Sequence, residues 1–394
     1  QSLSNKNQHN KVYVTAVNSG TGALEIALDV LGVGSGDEVI VPGFMWISSI
    51  SAIIRARAIP VLVDSDQTLG VDPEDLKVKI SERTKVIMVV PMLGGSSKIG
   101  EIMEVVRNVN NSRKKDNLSK IFVLEDCAQS LGAHAFGIPG SSQTSLPEGY
   151  YKLGTFGDIG TFSLQLNKDI TAGEGGMVVT RDKELNDRVD ALHNAGYIKK
   201  EKNNINWYGD IPYGWGHGRR MSELQGAVAR VQLKKLDSIL DTIRKNHSFF
   251  EEFFKKQGIK LRKRAYQNNP GDTGYYLCFH LPENLDDNTA ISKGREIAKD
   301  LKDKGFNVWF LHDFEVHIYY NIEPLVKKFP MNDGSPWEDP KNSFHTQYKY
   351  DRGALPNLDH LLIRTIGLNM PSKMSDNTRD NMMNDLLVTL KNLY

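Results

Sequence analysis

Brief apolar runs alternate with helically spaced ones along the first half of the chain. Residues 13–17, 39–41, 60–64, 85–90 and 121–124 read as short buried strands. Between them, Leu24, Ala27, Leu28 and Leu31 recur at helical spacing. Pro42-Gly43-Phe44-Met45-Trp46 opens a helix through residues 47–57, and 72–80 predicts another with Pro73 near its first turn. This alternation predicts βαβ units and a parallel sheet. From residue 159 to 166, Phe162, Leu164 and Leu166 alternate with Thr161, Ser163 and Gln165, which predicts a strand to residue 166. A loop holding Lys168 follows, then glycines at 173, 175 and 176, then a strand over 177–180. A lysine on a turn between two buried strands has little freedom, and glycines beside it let the backbone approach another group. The same stretch also suits a surface loop with a solvated lysine.

Residues 1–11 are polar and read as loosely attached, and 107–119 as an exposed connection. A long loop is expected over 137–155, a helix over 182–194 and an aromatic loop without clear period over 195–220. Residues 221–258 read as one long helical stretch capped at Ser222, with a domain boundary near 235. Strands at 275–281 and 307–311 and helices at 289–304 and 375–393 predict a smaller α+β domain. The expected division is therefore 1–235 and 236–394, in keeping with a length of 394 residues.

Composition narrows the function classes. The formal net charge is +1, which gives no argument for nucleic acid or an anionic membrane surface. Two cysteines, Cys127 and Cys278, make neither a disulfide framework nor a zinc spacing, so a reducing, cytoplasmic setting is expected. No apolar run is long enough to span a bilayer, and no signal-peptide pattern opens the chain.

Three strand ends carry candidate chemistry. Asn18-Ser19-Gly20-Thr21-Gly22 precedes a helix, where free amides and the helix dipole suit an anion, although a plain helix cap has the same residues. Asp126 follows the strand at 121–124, where open α/β sheets place their ligands, although an aspartate there can also cap a turn. Lys168 is the third. Pyridoxal phosphate needs such a set: donors for its phosphate, a carboxylate for its ring nitrogen, a lysine for its aldehyde. Trp46 offers an aromatic face.

NSGTGAL (18–24), GDEVIVPGFMWISS (36–49), PVLVDSD (60–66), EDCAQSLGA (125–133), GDIGTFSLQLNKDITAGEGGMVVT (157–180) and RMSELQGAVARVQLKKLD (220–237) occur in order. In these blocks the chain resembles the DegT/StrS family of fold-type I aminotransferases, most of which act on keto-sugars. The resemblance implies an α/β fold: a large domain with a mainly parallel seven-stranded sheet between helices, and a smaller C-terminal α+β domain. It implies that Lys168 forms the Schiff base, that Asp126 pairs with the pyridine nitrogen, and that Gln129 bonds the phenolic oxygen. Gly20, Thr21 and Gly22 would hold the phosphate with Ser163, and Trp46 would stack on the ring. It further implies a homodimer with shared active sites. The donor would be glutamate or glutamine, and the acceptor a nucleotide-linked keto-sugar in amino-sugar biosynthesis such as supplies lipopolysaccharide. An eight-carbon keto-sugar acid, giving 8-amino-3,8-dideoxy-octulosonate, or a cyclitol ketone also fits.

Three departures bear on the substrate. The family usually has a histidine after the fourth strand, where this chain has Pro91-Met92-Leu93-Gly94. It usually has an asparagine, reaching the partner's phosphate, where this chain has Gly218; Arg219 is a candidate replacement. Several tens of residues usually precede the first strand, so either this chain is trimmed or its entrance is built differently. The family's dehydratase branch usually has a histidine in place of the lysine, and Lys168 argues against it. A homologue that binds the cofactor without turnover would have lost Lys168 or Asp126. His312, His317, Tyr319 and Tyr320 are candidates for sugar contacts, as are Trp207, Tyr208, Tyr213 and Trp215 for a nucleotide base; both sets also suit ordinary packing.

Overall fold

A computed structural model describes residues 11–95, 97–141, 146–197, 213–266 and 271–391. The elements run β1 (Tyr13–Val17), α1 (Gly20–Val30), β2 (Glu38–Pro42), α2 (Ile47–Arg55), β3 (Ile59–Val63), α3 (Pro73–Lys79), β4 (Thr84–Val89), α4 (Ile99–Lys115) and β5 (Phe122–Asp126). A small hairpin, β6 (His134–Gly137) and β7 (Gly149–Lys152), precedes β8 (Ile159–Ser163), β9 (Gly176–Thr180) and α5 (Lys183–Leu192). Then come α6 (Glu223–Leu233), α7 (Leu236–Lys256), β10 (Tyr276–His280), α8 (Asp287–Asp303), β11 (Val308–Phe310), α9 (Glu323–Val326), α10 (Pro356–Leu362), β12 (Thr365–Asn369) and α11 (Asp376–Leu390).

Seven strands form one sheet in the order β1-β9-β8-β5-β4-β2-β3. The pairs β2–β3, β2–β4, β4–β5 and β5–β8 are parallel, and β9 runs against both its neighbours. The apolar runs of the central strands follow from burial on both faces. In β2, Val39 and Val41 join the core under α1, α2 and α5, while Ile40 joins the core under α3 and α4.

Three expectations from the periodicity fail. β8 ends at Ser163, and Leu166 is 66% exposed. The strand lies between β5 and β9 with all five residues buried, so Leu164 begins the turn that carries Lys168. The polar stretch 107–119 is largely helix, because α4 runs to Lys115 with its polar residues on the solvent side. Arg113 is buried there and donates to the carbonyls of Ser81, Glu82 and Ser119. The helical stretch 221–258 breaks at Lys234 and Lys235 into α6 and α7.

A second sheet, β10-β12-β11, shares a core with α7, α8 and α11. Leu311 to Leu362 returns to the large sheet, where Ile318, Tyr319, Tyr350 and Leu358 pack into its core. Tyr350 donates to the carbonyl of Pro60, and Asp64 accepts from the amides of Asn357 and Leu358. We propose residue 235 as the working division between the domains, with this returning segment docked across it.

Candidate active site

The carboxyl ends of β5 and β8 meet the amino end of α1 at a cavity of about 790 Å³, closed from the other side by the small sheet. The local sequence explains the meeting. Gly20 starts α1, and a Cβ there would lie 2.8 Å from the Cβ of Ser163, so glycine lets the helix start touch the end of β8. Ser19 caps the helix by accepting the amide of Gly22 at 3.0 Å. The amides of Gly20 and Thr21 have no acceptor among the described residues and belong to the unpaired first turn. Thr21 Oγ1 lies 2.9 Å from Ser48 Oγ, which places two hydroxyls beside them.

Asp126 ends β5 facing the same cavity and is 4% exposed. Its Oδ2 accepts from Ser49 Oγ at 2.8 Å and its Oδ1 from the amide of Ala128 at 3.3 Å. Burial raises its pKa, and Ser49, Ala128 and the charge of Lys168 pull it back. Lys168 is half-buried, and burial lowers its pKa against the charges of Asp126 and Asp169. The lysine and Asp126 thus share one cavity and act on each other electrostatically.

The neighbouring carboxyl, Glu125, points the other way. It accepts the amides of Gly154, Phe156 and Gly157 at 2.7–2.8 Å and pins the loop before β8. Burial still raises it to about 7.

Gln129 lines the cavity with its Oε1 taken by the amide of Leu93 at 3.0 Å, which leaves its Nε2 as a donor. Leu93 has φ 58, so the Pro91–Gly94 turn that departs from the family pattern is what orients Gln129. Trp46, 41% exposed, meets the ring of His317 at 4.8 Å. His317 stacks on Phe314 at 4.0 Å and 8°. Burial lowers its pKa to about 4, so the ring is neutral near pH 7.

Gly20, Thr21, Trp46, Asp126, Gln129, Ser163, Lys168 and His317 all line the cavity. Gly22, Arg219, Tyr319, His312 and Tyr320, also expected, do not. The amide of Gly22 is occupied by the cap. Arg219 pairs with Glu25 on α1 at 2.5 Å and is not part of the lining. Tyr319 is fully buried and donates to Asp359. His312 lies 3.4 Å from the hydroxyl of Tyr320, outside the lining. Gly218 has φ +65, a left-handed conformation open to both glycine and asparagine. Of the aromatic loop, Tyr213 is half-buried and Trp215 is 91% exposed; Trp207 and Tyr208 lie outside the described residues.

Sequence reading missed the opposite wall: Tyr275, Tyr276, Asn307, Trp309 and Asn369. They come from strands of the small sheet and its flanks and form no local motif. Ser48 and Asp169 were also missed, although each neighbours an identified block residue.

A model of the DegT/DnrJ/EryC1/StrS aminotransferase family matches residues 5–329. The GDP-perosamine synthase of Escherichia coli O157:H7 is 38% identical over 234 residues, 59% of this chain and 56% of that protein. An L-glutamine:2-deoxy-scyllo-inosose aminotransferase of Streptomyces kanamyceticus is 32% identical over 282 residues, 70% of this chain and 60% of that protein. The chain therefore matches less than two thirds of the length of these curated relatives. The sugar aminotransferase CalS13 from Micromonospora echinospora has a TM-score of 0.71 at 22% identity, covering 95% of this chain and 86% of that one. At that identity the likeness is one of fold.

Proposed function

Because the chain belongs to the DegT/DnrJ/EryC1/StrS aminotransferase family, we propose that it moves an amino group from glutamate or glutamine to the keto carbon of a nucleotide-linked deoxysugar. DegT/StrS aminotransferases use pyridoxal phosphate. The observation that carries the proposal is the common cavity of Lys168, Asp126 and the unpaired first turn of α1.

The residues fit that cofactor. The free amides of Gly20 and Thr21, with the hydroxyls of Thr21 and Ser163, would hold the phosphate. Asp126, its carboxylate fixed by the hydroxyl of Ser49, would hold the proton of the ring nitrogen. Gln129 would donate to the phenolic oxygen, and Trp46 would cover the ring. When bound, pyridoxal phosphate supplies an electrophilic carbon and an electron sink. Lys168 would have two tasks: to hold the cofactor's aldehyde between turnovers and, once free, to take the proton from the substrate carbon at its Nζ. Its lowered pKa supports the second task, since a base must first be unprotonated.

The test is an absorbance spectrum of the protein with pyridoxal phosphate. A band removed by borohydride in the wild type and absent in Lys168→Ala is expected; its survival in the variant overturns the reading. A panel of keto-sugars with each donor then identifies the acceptor. The similarity to the inosose aminotransferase supports a second reading, a cyclitol ketone with glutamine as donor, and the panel includes both.

The proposal includes a homodimer. None of α6 is buried, and its Leu224, Val228, Val231 and Leu233 are exposed. A second copy would cover them, and light scattering that finds a stable monomer would refute this. Among the described residues no helix is long and apolar enough to cross a membrane.

A further inference from the structure

Gln129 has one orientation in the cavity because the amide of Leu93 donates to its Oε1 at 3.0 Å. A backbone amide can be met only by the oxygen, so the side chain cannot flip while that bond stands. The bond depends on where the turn at 92–95 lies, and Thr273 and Arg262 press on that turn. The amide of Thr273 donates to the carbonyl of Gly94 at 2.8 Å. A Cβ on Gly94 would lie 2.1 Å from Thr273 Oγ1, and one on Gly95 would lie 2.1 Å from Arg262 Nη1. Arg262 donates from Nη2 to Asp272 Oδ2 at 2.6 Å and from Nη1 to the carbonyl of Thr68 at 3.3 Å. The side chains of this pair are 6% and 9% exposed. The backbone around it is fixed too: the amide of Arg262 donates to the carbonyl of Cys278 in β10, and Arg244 of α7 to the carbonyl of Asp272, each at 3.0 Å. An ion pair this buried adds little net stability over apolar residues of the same volume. What it adds is direction, since the planar fork meets an acid and a carbonyl at once.

We propose that the Arg262–Asp272 pair positions Gln129. It holds Thr273 against Gly94 and the guanidinium against Gly95. The turn so fixed keeps the amide of Leu93 on Oε1, which leaves the Nε2 donor for the cavity. Neither Arg262 nor Asp272 lines the cavity, so their effect on the site passes through the turn. The proposal rests on Gln129 meeting the phenolic oxygen of pyridoxal phosphate, as in the function proposed above. If the turn relaxes, Gln129 can flip and present its own carbonyl oxygen there, a repulsive contact in place of a hydrogen bond.

Replacing one partner alone strands a buried charge, so the test uses the neutral double variant, Arg262→Met with Asp272→Asn, in the full chain. The first readout needs no cofactor. Hydrogen exchange of the Leu93 amide is expected to be about tenfold faster in the double variant, while the amides of Phe156 and Gly157, held by Glu125, keep their wild-type rates. An unchanged Leu93 rate, or equal acceleration at all three amides, overturns the proposal. The second readout is the pH midpoint of the visible absorbance band with pyridoxal phosphate bound. A donor on the phenolic oxygen favours its anion, so Gln129→Ala is expected to raise the midpoint by about one pH unit. The double variant should raise it comparably, and adding Gln129→Ala to it should raise it no further. A wild-type midpoint in the double variant, or shifts that add in the triple variant, overturns the proposal. If the double variant does not fold, Arg262→Lys keeps the charge but lacks the fork for two acceptors. It should move both readouts the same way by a smaller amount, and no movement refutes the role. A wild type without the band, or a Gln129→Ala midpoint equal to that of the wild type, is instead a failure of the cofactor reading, and the exchange readout still judges the pair.

Discussion

The two walls of the cavity are built by different rules. The large-sheet wall takes its residues from strand ends and a helix start, each inside a short sequence block: Gly20 and Thr21, Asp126 and Gln129, Ser163 and Lys168. The small-sheet wall takes Tyr276, Trp309 and Asn369 from three different strands and Tyr275 and Asn307 from their flanks. The first wall offers an anion cradle, a buried acid and an amine, which are the needs of one cofactor. The second offers amides, phenols and an indole, which suit hydroxyls and flat apolar faces of many ligands. On the proposed reading, the contrast teaches that cofactor and acceptor would be met by separate parts of the chain.

The largest effect should come from removing the amine on the first wall. Lys168→Ala is expected to lower turnover by at least about 10³-fold, through the loss of both attachment and proton transfer. Single-turnover assays with preloaded amine check it. Activity within tenfold of wild type would mean that the first wall does not perform the chemistry.

Asp126→Asn comes next and separates function from stability. Turnover should fall by about 10²–10³-fold, the range for removing one preorganised electrostatic partner. Stability should move the other way. Burial raises the folded pKa of Asp126 above its unfolded value, so the protonated form is favoured in the folded chain. The resulting stabilisation is complete below the unfolded value and is lost as pH rises through the folded one. At pH 8 the wild type therefore carries the cost of a buried charge, and the apo variant should melt at the same or a higher temperature. The difference should shrink as the pH is lowered toward 4, as melting curves across pH would show. A variant less stable at pH 8 would mean that Asp126 is chiefly a structural acceptor, as Glu125 is.

On the second wall, Trp309→Ala should leave the borohydride-sensitive band intact. It should raise KM for the acceptor by about three- to tenfold, the worth of one aromatic contact. Trp309 is 39% exposed and meets Phe314 at 5.0 Å, so its removal opens the rim without emptying the core. A loss of the band with unchanged KM would reverse the assignment of the walls.

The same difference explains what could be read in the sequence. The sheet was legible because β2 to β5 are apolar on both faces and are separated by periodic helices. Lys168 and Asp126 were legible because each stands inside a recognisable block, Asp126 at the end of β5 and Lys168 on the turn after β8. The end of β8 was not, since Leu164 and Leu166 continue its alternation although only Leu164 is buried. The helical content of 107–115 was hidden because its polar side faces water, and Arg113 is buried only through bonds to distant carbonyls. Tyr319 stood as a candidate sugar contact because it lies where the family's small domain approaches the pocket. Its bond to Asp359, forty residues on, is a tertiary fact that no local pattern contains.

The smallest effect tests where the first wall stops. Arg219 stood as a replacement for the missing asparagine, yet its guanidinium pairs with Glu25 of α1, with Arg55 3.7 Å from the same carboxylate. The Arg219 side chain is 39% exposed, so the pair is partly screened and contributes about 0.2–1 kcal/mol. If Arg219 only buttresses the helix, Arg219→Ala should weaken cofactor binding by less than about threefold and lose part of even that effect in high salt. If Arg219 leaves Glu25 to meet the phosphate, the loss should exceed about tenfold, because a charged hydrogen bond is worth about 1.5–3 kcal/mol. Glu25→Gln separates the cases further: it should weaken binding slightly under the first and strengthen it under the second, by freeing the guanidinium. Titration with pyridoxal phosphate at two salt concentrations would decide whether this wall ends at the first turn of α1 or one layer behind it.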